Sequence, residues 1–79
     1  MTNLEKYNVI FKENLEVKDE QLNSELIYQS VQEWDSVGHM GLMSAIEDEF
    51  DIMLETDDII DFNSYEEGKK ILRKYDIEI

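Results

Sequence analysis

Apolar residues at helical spacing recur through this chain and limit what it can fold into. Near the start, the repeating positions are Leu4, Tyr7, Ile10 and Phe11. Residues three or four apart share one face of an α-helix, so this spacing predicts an amphipathic helix. We expect it to begin after a cap at Thr2 or Asn3 and to end near Asn14.

A second apolar series has the same period: Val37, Met40, Met43, Ile46 and Phe50, flanked by Leu42 and Ala45. It predicts a helix over residues 36–50. Asp35 is its natural N-cap, because an Asp side chain accepts hydrogen bonds from free amides at a helix start. Residues 15–34 show weaker periodicity. They predict a long connection with a short helical turn inside it, held by Val17, Leu22, Leu26, Ile27, Val31 and Trp34.

Two further helix starts follow. Thr56 is a candidate cap, and the two carboxylates after it suit the positive end of a helix dipole, which predicts a short third helix. Ser64 and Glu67 match a capping box, in which each side chain accepts from the other residue's backbone amide. A fourth helix is therefore predicted to run to about Tyr75, with basic residues near its end.

These elements predict an all-α fold, because no strand pattern, hairpin signal or proline interrupts them. We expect a single domain over residues 1–79: a small four-helix bundle of three main helices and one short helix, with a long loop between helices one and two. A chain of 79 residues supports a modest core but no deep enclosed reaction chamber, so we expect no enzyme activity of its own.

The charge of the chain restricts its partners. The net charge is -13, and the segment from Glu33 to Glu67 holds twelve acidic residues and no Lys or Arg. Nucleic acid and anionic membranes repel such a chain, which makes basic proteins the expected partners. No apolar run approaches the roughly 18 residues that cross a bilayer, and cysteine is absent. We expect a cytoplasmic monomer.

The acidic residues of the second and third helices are candidate contacts for basic partners. The predicted set is Glu47, Asp48, Asp51 and Asp57, with Val37 and Met40 beside it. Complementary charge raises association rates, which suits a protein that several enzymes share. A charge run also occurs simply as a solvated surface, and that interpretation stays open.

Ser36 follows the Asp35 cap and takes the first helical position, where free amides and the helix dipole suit an attached phosphate. An isolated Asp-Ser pair is common. Here, however, Glu33-Trp34-Asp35-Ser36-Val37, followed by Leu42 and Ala45-Ile46-Glu47-Asp48-Glu49-Phe50, resembles the core signature of acyl carrier proteins. The resemblance covers about residues 4–75 and is most specific over residues 33–50.

The resemblance implies that Ser36 receives a phosphopantetheine arm from coenzyme A. A separate phosphopantetheinyl transferase, recognising Asp35, would supply magnesium and the base. The thiol of the arm would carry acyl intermediates as thioesters between basic acyl-transfer or synthase enzymes of fatty acid biosynthesis. This accounts for a thioester carrier without cysteine. No catalytic or metal-ligating residue is predicted.

Five apolar positions carry two interpretations: Ile46, Leu54, Ile59, Phe62 and Ile71. From their spacing they are ordinary core residues. By the resemblance they also line an acyl-chain cavity.

The chain departs from many relatives by Gly38, Gly41, Trp34 and the lack of a proline after the second helix. The departures favour considering a dedicated carrier for polyketide, surface-polysaccharide or aminoacyl transfer. Each helical glycine costs about 0.8–1 kcal/mol relative to alanine. The two glycines either let a partner or the arm approach the backbone closely or are merely tolerated.

Parts of the sequence also bear on three other classes of function. His39 lies one turn from Ser36 and could form a nucleophile–base pair, but no residue is identified to orient the imidazole, so we expect a surface residue or partner contact. Residues 57–65 lack the ligand alternation and the glycine of a calcium-binding EF-hand loop. An acidic helical adaptor without a cofactor stays open.

Overall fold

The computed structural model of the chain describes all 79 residues. It is all-helical, with no strand and four α-helices: α1 (Asn3–Leu15), α2 (Ser36–Phe50), α3 (Thr56–Asp61) and α4 (Tyr65–Lys74). α1 and α2 make the most extensive backbone contact of any helix pair. The arrangement of all four helices as a bundle stays a prediction. No helix has the length and apolar character needed to cross a membrane.

α1 begins where the local sequence predicts. The Thr2 hydroxyl accepts a hydrogen bond from the Glu5 amide at 3.1 Å, and the Glu5 carboxylate accepts one from the Thr2 amide at 3.0 Å. This capping box satisfies two amides that a helix start leaves free. The helix ends at Leu15, and the Glu16 C-cap that follows has a left-handed φ of 56°. Its buried residues repeat at helical spacing: Tyr7, Ile10, Phe11 and Leu15.

Residues 16–35 connect α1 to α2 and contain one 3-10 turn, Asp19–Gln21. Val17, Leu26 and Trp34 are buried within this connection. Ile27, predicted as an apolar anchor, is instead 49% exposed. It forms an isolated antiparallel bridge to Ser64, so the backbone rather than the Ile27 side chain ties the connection to the start of α4.

The core is built around aromatic rings from three parts of the chain. Phe11 of α1 lies edge-on to Trp34 of the connection, with ring centres 5.6 Å apart, and edge-on to Tyr65 of α4 at 5.3 Å. The Tyr7 hydroxyl donates to the Tyr65 carbonyl at 2.7 Å, and burial raises the pKa of Tyr7. A buried tyrosine is tolerated when its hydroxyl has such a partner.

The starts of α3 and α4 differ from the sequence predictions. The N-cap of α3 is Glu55, not Thr56, which is the first helical residue, and the side chain of Glu55 makes no capping bond. Ser64 caps α4 by accepting from the Glu67 amide at 2.9 Å. The reciprocal half of the predicted capping box is not formed, and the Glu67 carboxylate instead lies 3.8 Å from the Lys70 ammonium.

Candidate functional site

Ser36 stands at the exposed start of a helix of 15 residues. Asp35 is the N-cap, as predicted. Its extended backbone turns the chain into α2, and its carboxylate accepts from the Gly38 amide at 2.8 Å. The Ser36 hydroxyl takes no part in this capping. The amides of Ser36 and Val37 have no partner within the helix, because the first turn of a helix leaves its amides free.

Gly38 is required by the path of the chain before α2. A Cβ atom at this position would overlap the backbone carbonyl oxygen of Glu33. At Gly41 the nearest atom to an added Cβ is the Asn14 side-chain oxygen at 3.9 Å, an ordinary contact. Neither predicted role, approach by a partner or the arm or simple tolerance, accounts for Gly38, whose close neighbour is the chain's own Glu33 backbone. Gly41 has room for a side chain, as simple tolerance predicts.

His39, predicted as a surface residue or a partner contact, is half-buried rather than freely exposed. Its Nδ1 accepts from the Trp34 indole N–H at 3.0 Å. An indole nitrogen only donates, so the proton of the neutral ring lies on Nε2, which donates to the Ile59 carbonyl at 2.8 Å. Both ring nitrogens are thus engaged, and neither is left to act as a base toward Ser36.

A signal for His39 was present in the sequence. His39, Leu42, Met43, Ile46 and Phe50 follow helical spacing, and the middle three are the buried residues of α2. The predicted stripe through Val37 and Met40 is wrong at its N-terminal end, where these two residues are 81% and 54% exposed. His39 therefore extends the buried stripe of α2 by one turn toward Ser36.

The exposed residues Val37, Met40 and Asp48 share one side of α2, and together with the exposed Asp51, the C-cap that follows the helix, they are called here the outer face. It is apolar near Ser36 and acidic at the other end. Asp57 of α3 is also exposed. None of these carboxylates takes part in the salt bridges within the chain, which are Lys12–Asp19, Lys69–Glu66, Lys70–Glu67 and Lys74–Asp58.

Glu47, also predicted as a partner contact, is placed differently. It is half-buried, and its carboxylate accepts from the Leu54 amide at 2.8 Å. This bond holds the turn between α2 and α3. The Glu47 side chain therefore already has a structural role within the chain, unlike Asp48 next to it.

The five residues predicted to line an acyl-chain cavity differ in burial and in whether they line a pocket. Ile46, Leu54, Phe62 and Ile71 are buried, and Ile59 is half-buried. A pocket of about 160 Å³ is lined by Tyr28, His39, Ile59, Ile60, Phe62 and Asn63. Ile59 and Phe62 therefore line an open pocket, whereas the other three predicted residues line none.

Asp58 is a buried charged residue that sequence reasoning missed. Its carboxylate accepts from the Lys74 ammonium and from the Tyr75 hydroxyl, each at 2.6 Å. These hydrogen bonds, the Lys74 bond foremost, hold the pKa of Asp58 below its usual value. The Tyr75 hydroxyl accepts in turn from the Glu55 amide at 2.9 Å. Asp58 therefore fastens α3 to the end of α4.

The structure contains no group of three or more His, Cys, Asp or Glu side chains arranged to hold a metal ion. Comparisons of the chain with models of known protein families, with curated proteins and with solved structures found no match.

Proposed function

We propose that this chain is an acyl carrier protein modified at Ser36 with phosphopantetheine. The observation that carries the proposal is the position of Ser36: an exposed hydroxyl at the first residue of α2, one residue after the Asp35 cap. The arm's thiol, when bound, supplies the group that holds an acyl intermediate as a thioester. This chain presents the attachment point and has no thiol of its own.

The residues around Ser36 are compatible with a phosphodiester. The free amides of Ser36 and Val37 point out of a helix start, where the dipole favours negative charge. The carboxylate of the preceding residue, Asp35, accepts a hydrogen bond from the Gly38 amide. Because the hydroxyl is exposed, esterification displaces no core residue.

The attachment is a substitution at phosphorus. The Ser36 oxygen forms a bond to the phosphorus next to pantetheine, and the bond from that phosphorus to the oxygen shared with the second phosphate breaks. Adenosine 3′,5′-bisphosphate leaves with the electron pair. The hydroxyl proton passes to a base, and the transferase supplies that base together with magnesium. No base is needed near Ser36 in this chain, in keeping with the two occupied nitrogens of His39.

The outer face of α2 suits the proposed docking of several enzymes. Val37 and Met40 offer apolar contact beside Ser36, and Asp48 and Asp51 carry charges not paired within the chain. Basic acyl-transfer or synthase enzymes would meet complementary charge, which speeds association more than it tightens binding. We place the carrier in the cytoplasm, serving fatty acid biosynthesis or a dedicated polyketide, polysaccharide or aminoacyl pathway.

The test is the intact mass after incubation with coenzyme A, magnesium and a broad-specificity phosphopantetheinyl transferase. We expect the wild-type chain to gain one phosphopantetheine and Ser36→Ala to gain none. Ser24→Ala is the control, because Ser24 is an exposed serine of the connection between α1 and α2, away from the outer face in sequence, and it should be modified like wild type. A wild-type chain that stays unmodified would refute the carrier proposal and favour an acidic helical adaptor.

A further inference from the structure

The contact between α2 and α3 bears on which acyl group the proposed carrier holds. His39 on α2 donates to the Ile59 carbonyl of α3 at 2.8 Å. That carbonyl is in the last turn of α3, where helix carbonyls lack partners within the helix. The His39 ring therefore supplies a hydrogen bond to the end of α3 and bridges the two helices one turn from Ser36.

The bridge is reinforced by aromatic neighbours. The His39 ring lies nearly parallel to the Trp34 ring to which it is hydrogen-bonded, with ring centres 6.2 Å apart, and it makes edge-to-face contacts with Tyr28 at 5.6 Å and Phe62 at 6.3 Å. Trp34 and Phe62 are fully buried. Moving His39 aside would leave the Trp34 indole N–H and the Ile59 carbonyl without partners. Leaving these two partly buried groups unpaired is unfavourable, and this resists the movement of His39.

The interior at three of the predicted cavity positions is filled. Ile46 is fully buried, Ile71 is 3% exposed and Leu54 is 5% exposed, and no pocket is lined by any of the three. An alkyl chain entering here would have to part α2 from α3 and enlarge a close-packed interior. Insertion of extra methylene groups into a packed core is unfavourable.

The space in front of His39 is open. The pocket there measures about 160 Å³ and has Phe62 and Ile60 among its walls, with Asn63 and Tyr28 also lining it. A cavity of about 150 Å³ holds a molecule of the size of benzene. The pocket thus suits a compact group of about six heavy atoms, and its walls are mainly apolar.

We infer that the acyl group carried by this protein is short and compact, and that it rests in the pocket beside His39 while the core stays closed to long alkyl chains. The inference rests on the proposed modification of Ser36. It replaces the inner cavity implied by the family resemblance with an outer site lined by His39, Ile60 and Asn63.

The test loads the full chain from three donors: coenzyme A, isovaleryl-coenzyme A and dodecanoyl-coenzyme A. Nuclear magnetic resonance then compares each acyl form with the form carrying the bare arm. We expect the isovaleryl group to shift the amide signals of Tyr28, Ile60 and Asn63. We expect the dodecanoyl chain to leave the methyl signals of Ile46 and Ile71 unchanged and not to raise the midpoint of thermal unfolding.

Two results would overturn the inference. One is a dodecanoyl chain that moves the Ile46 and Ile71 methyl signals and raises the unfolding midpoint, which would show a chain inside the core. The other is an isovaleryl group that leaves the pocket amides unchanged. A chain that accepts no arm from any donor fails at the mass measurement, so it refutes the proposed function before the cargo is examined.

Variants test the role assigned to His39 and to the pocket. In His39→Ala the bridge is removed, and the dodecanoyl chain should now move the Ile46 and Ile71 signals; unchanged signals in a folded variant would contradict the closure by His39. Ile60→Ala covers the case in which that variant does not fold, because Ile60 is 69% exposed. It should weaken the isovaleryl shift at Asn63, whereas Met53→Ala, altering a side chain 83% exposed outside the pocket, should not.

Discussion

The starts of α2 and α3 look alike in sequence and behave differently in the structure. Each has an acidic residue near the helix start, Asp35 in one case and Asp58 in the other. Asp35 caps its own helix and leaves Ser36 exposed. Asp58 is 6% exposed and is bound by Lys74 and Tyr75 from the end of α4.

The difference lies in what holds each helix. α2 has 15 residues, a side-chain cap and a buried face of its own. α3 has six residues and no side-chain cap, and a helix this short is not stable by itself. Its stability comes from neighbours: the bonds of the Asp58 carboxylate to Lys74 and Tyr75, and the bond of His39 to the Ile59 carbonyl. The start of α2 therefore leaves the Ser36 side chain exposed to solvent, whereas α3 is held in place by contacts of its Asp58 side chain with the end of α4.

The largest expected change in stability comes from a substitution that disrupts the start of α2. Gly38→Ala places a Cβ atom against the Glu33 carbonyl, so the backbone before Asp35 must shift, at a loss of about 1–3 kcal/mol in the free energy of unfolding. Gly41→Ala has room for the same methyl group and should gain about 0.5–1 kcal/mol, because alanine favours helix. Urea denaturation measures both. Equal effects at the two positions would show that the close approach at Gly38 is unimportant.

The second prediction concerns the Asp58 contacts that hold α3 against the end of α4. Asp58→Asn removes the charge that Lys74 and Tyr75 bind and should lower the free energy of unfolding by about 1.5 kcal/mol, a figure reduced because Lys74 is largely exposed. Asp57→Asn is the matched control, since Asp57 is exposed, and it should change stability by less than about 0.5 kcal/mol. Similar losses at both sites would mean that only the helix dipole matters.

The third prediction concerns pH and the same carboxylate. The pKa of Asp58 is lowered in the folded chain, so its contribution is complete above the ordinary Asp pKa of about 3.9 and is lost as the pH falls through the lowered pKa. The stability difference between wild type and Asp58→Asn should therefore be constant near neutral pH and shrink below about pH 4. Urea midpoints measured across this range give the difference. A gap that persists in acid would exclude the charge as its source.

Sequence reasoning succeeded where the determining contacts are local. The cap of α1 at Thr2 and the cap of α2 at Asp35 both bond to amides three residues away, so the short-range pattern contains them. It failed for His39, Asp58 and Gly38. The Asp58 and His39 partners lie far along the chain, at Lys74 and Ile59. The need for glycine at position 38 depends on where the preceding loop passes the first turn of α2. The spacing of residues along the sequence does not predict that path.

The exposed position of Ser36 was predictable for the same local reason, because a cap fixes the direction of the next residue. Its chemistry was predicted by resemblance and still awaits the mass measurement. The pocket beside His39 was not predictable, since its walls come from the connection, from α2 and α3, and from the segment after α3. Only the folded chain brings Tyr28, His39 and Asn63 together.

The smallest expected effect concerns the outer face of α2. Asp48→Lys should leave the free energy of unfolding within about 0.5 kcal/mol of wild type, because Asp48 is exposed and has no salt-bridge partner. If a basic transferase docks on this face, however, the variant should be modified at Ser36 a few-fold more slowly at low ionic strength. The difference should fade as salt shortens the Debye length to about 10 Å at 0.1 M. Glu25→Lys makes the same charge change on the connection between α1 and α2, far from the outer face in sequence. If both variants slow modification equally, net charge alone governs encounter, and α2 presents Ser36 without a docking surface of its own.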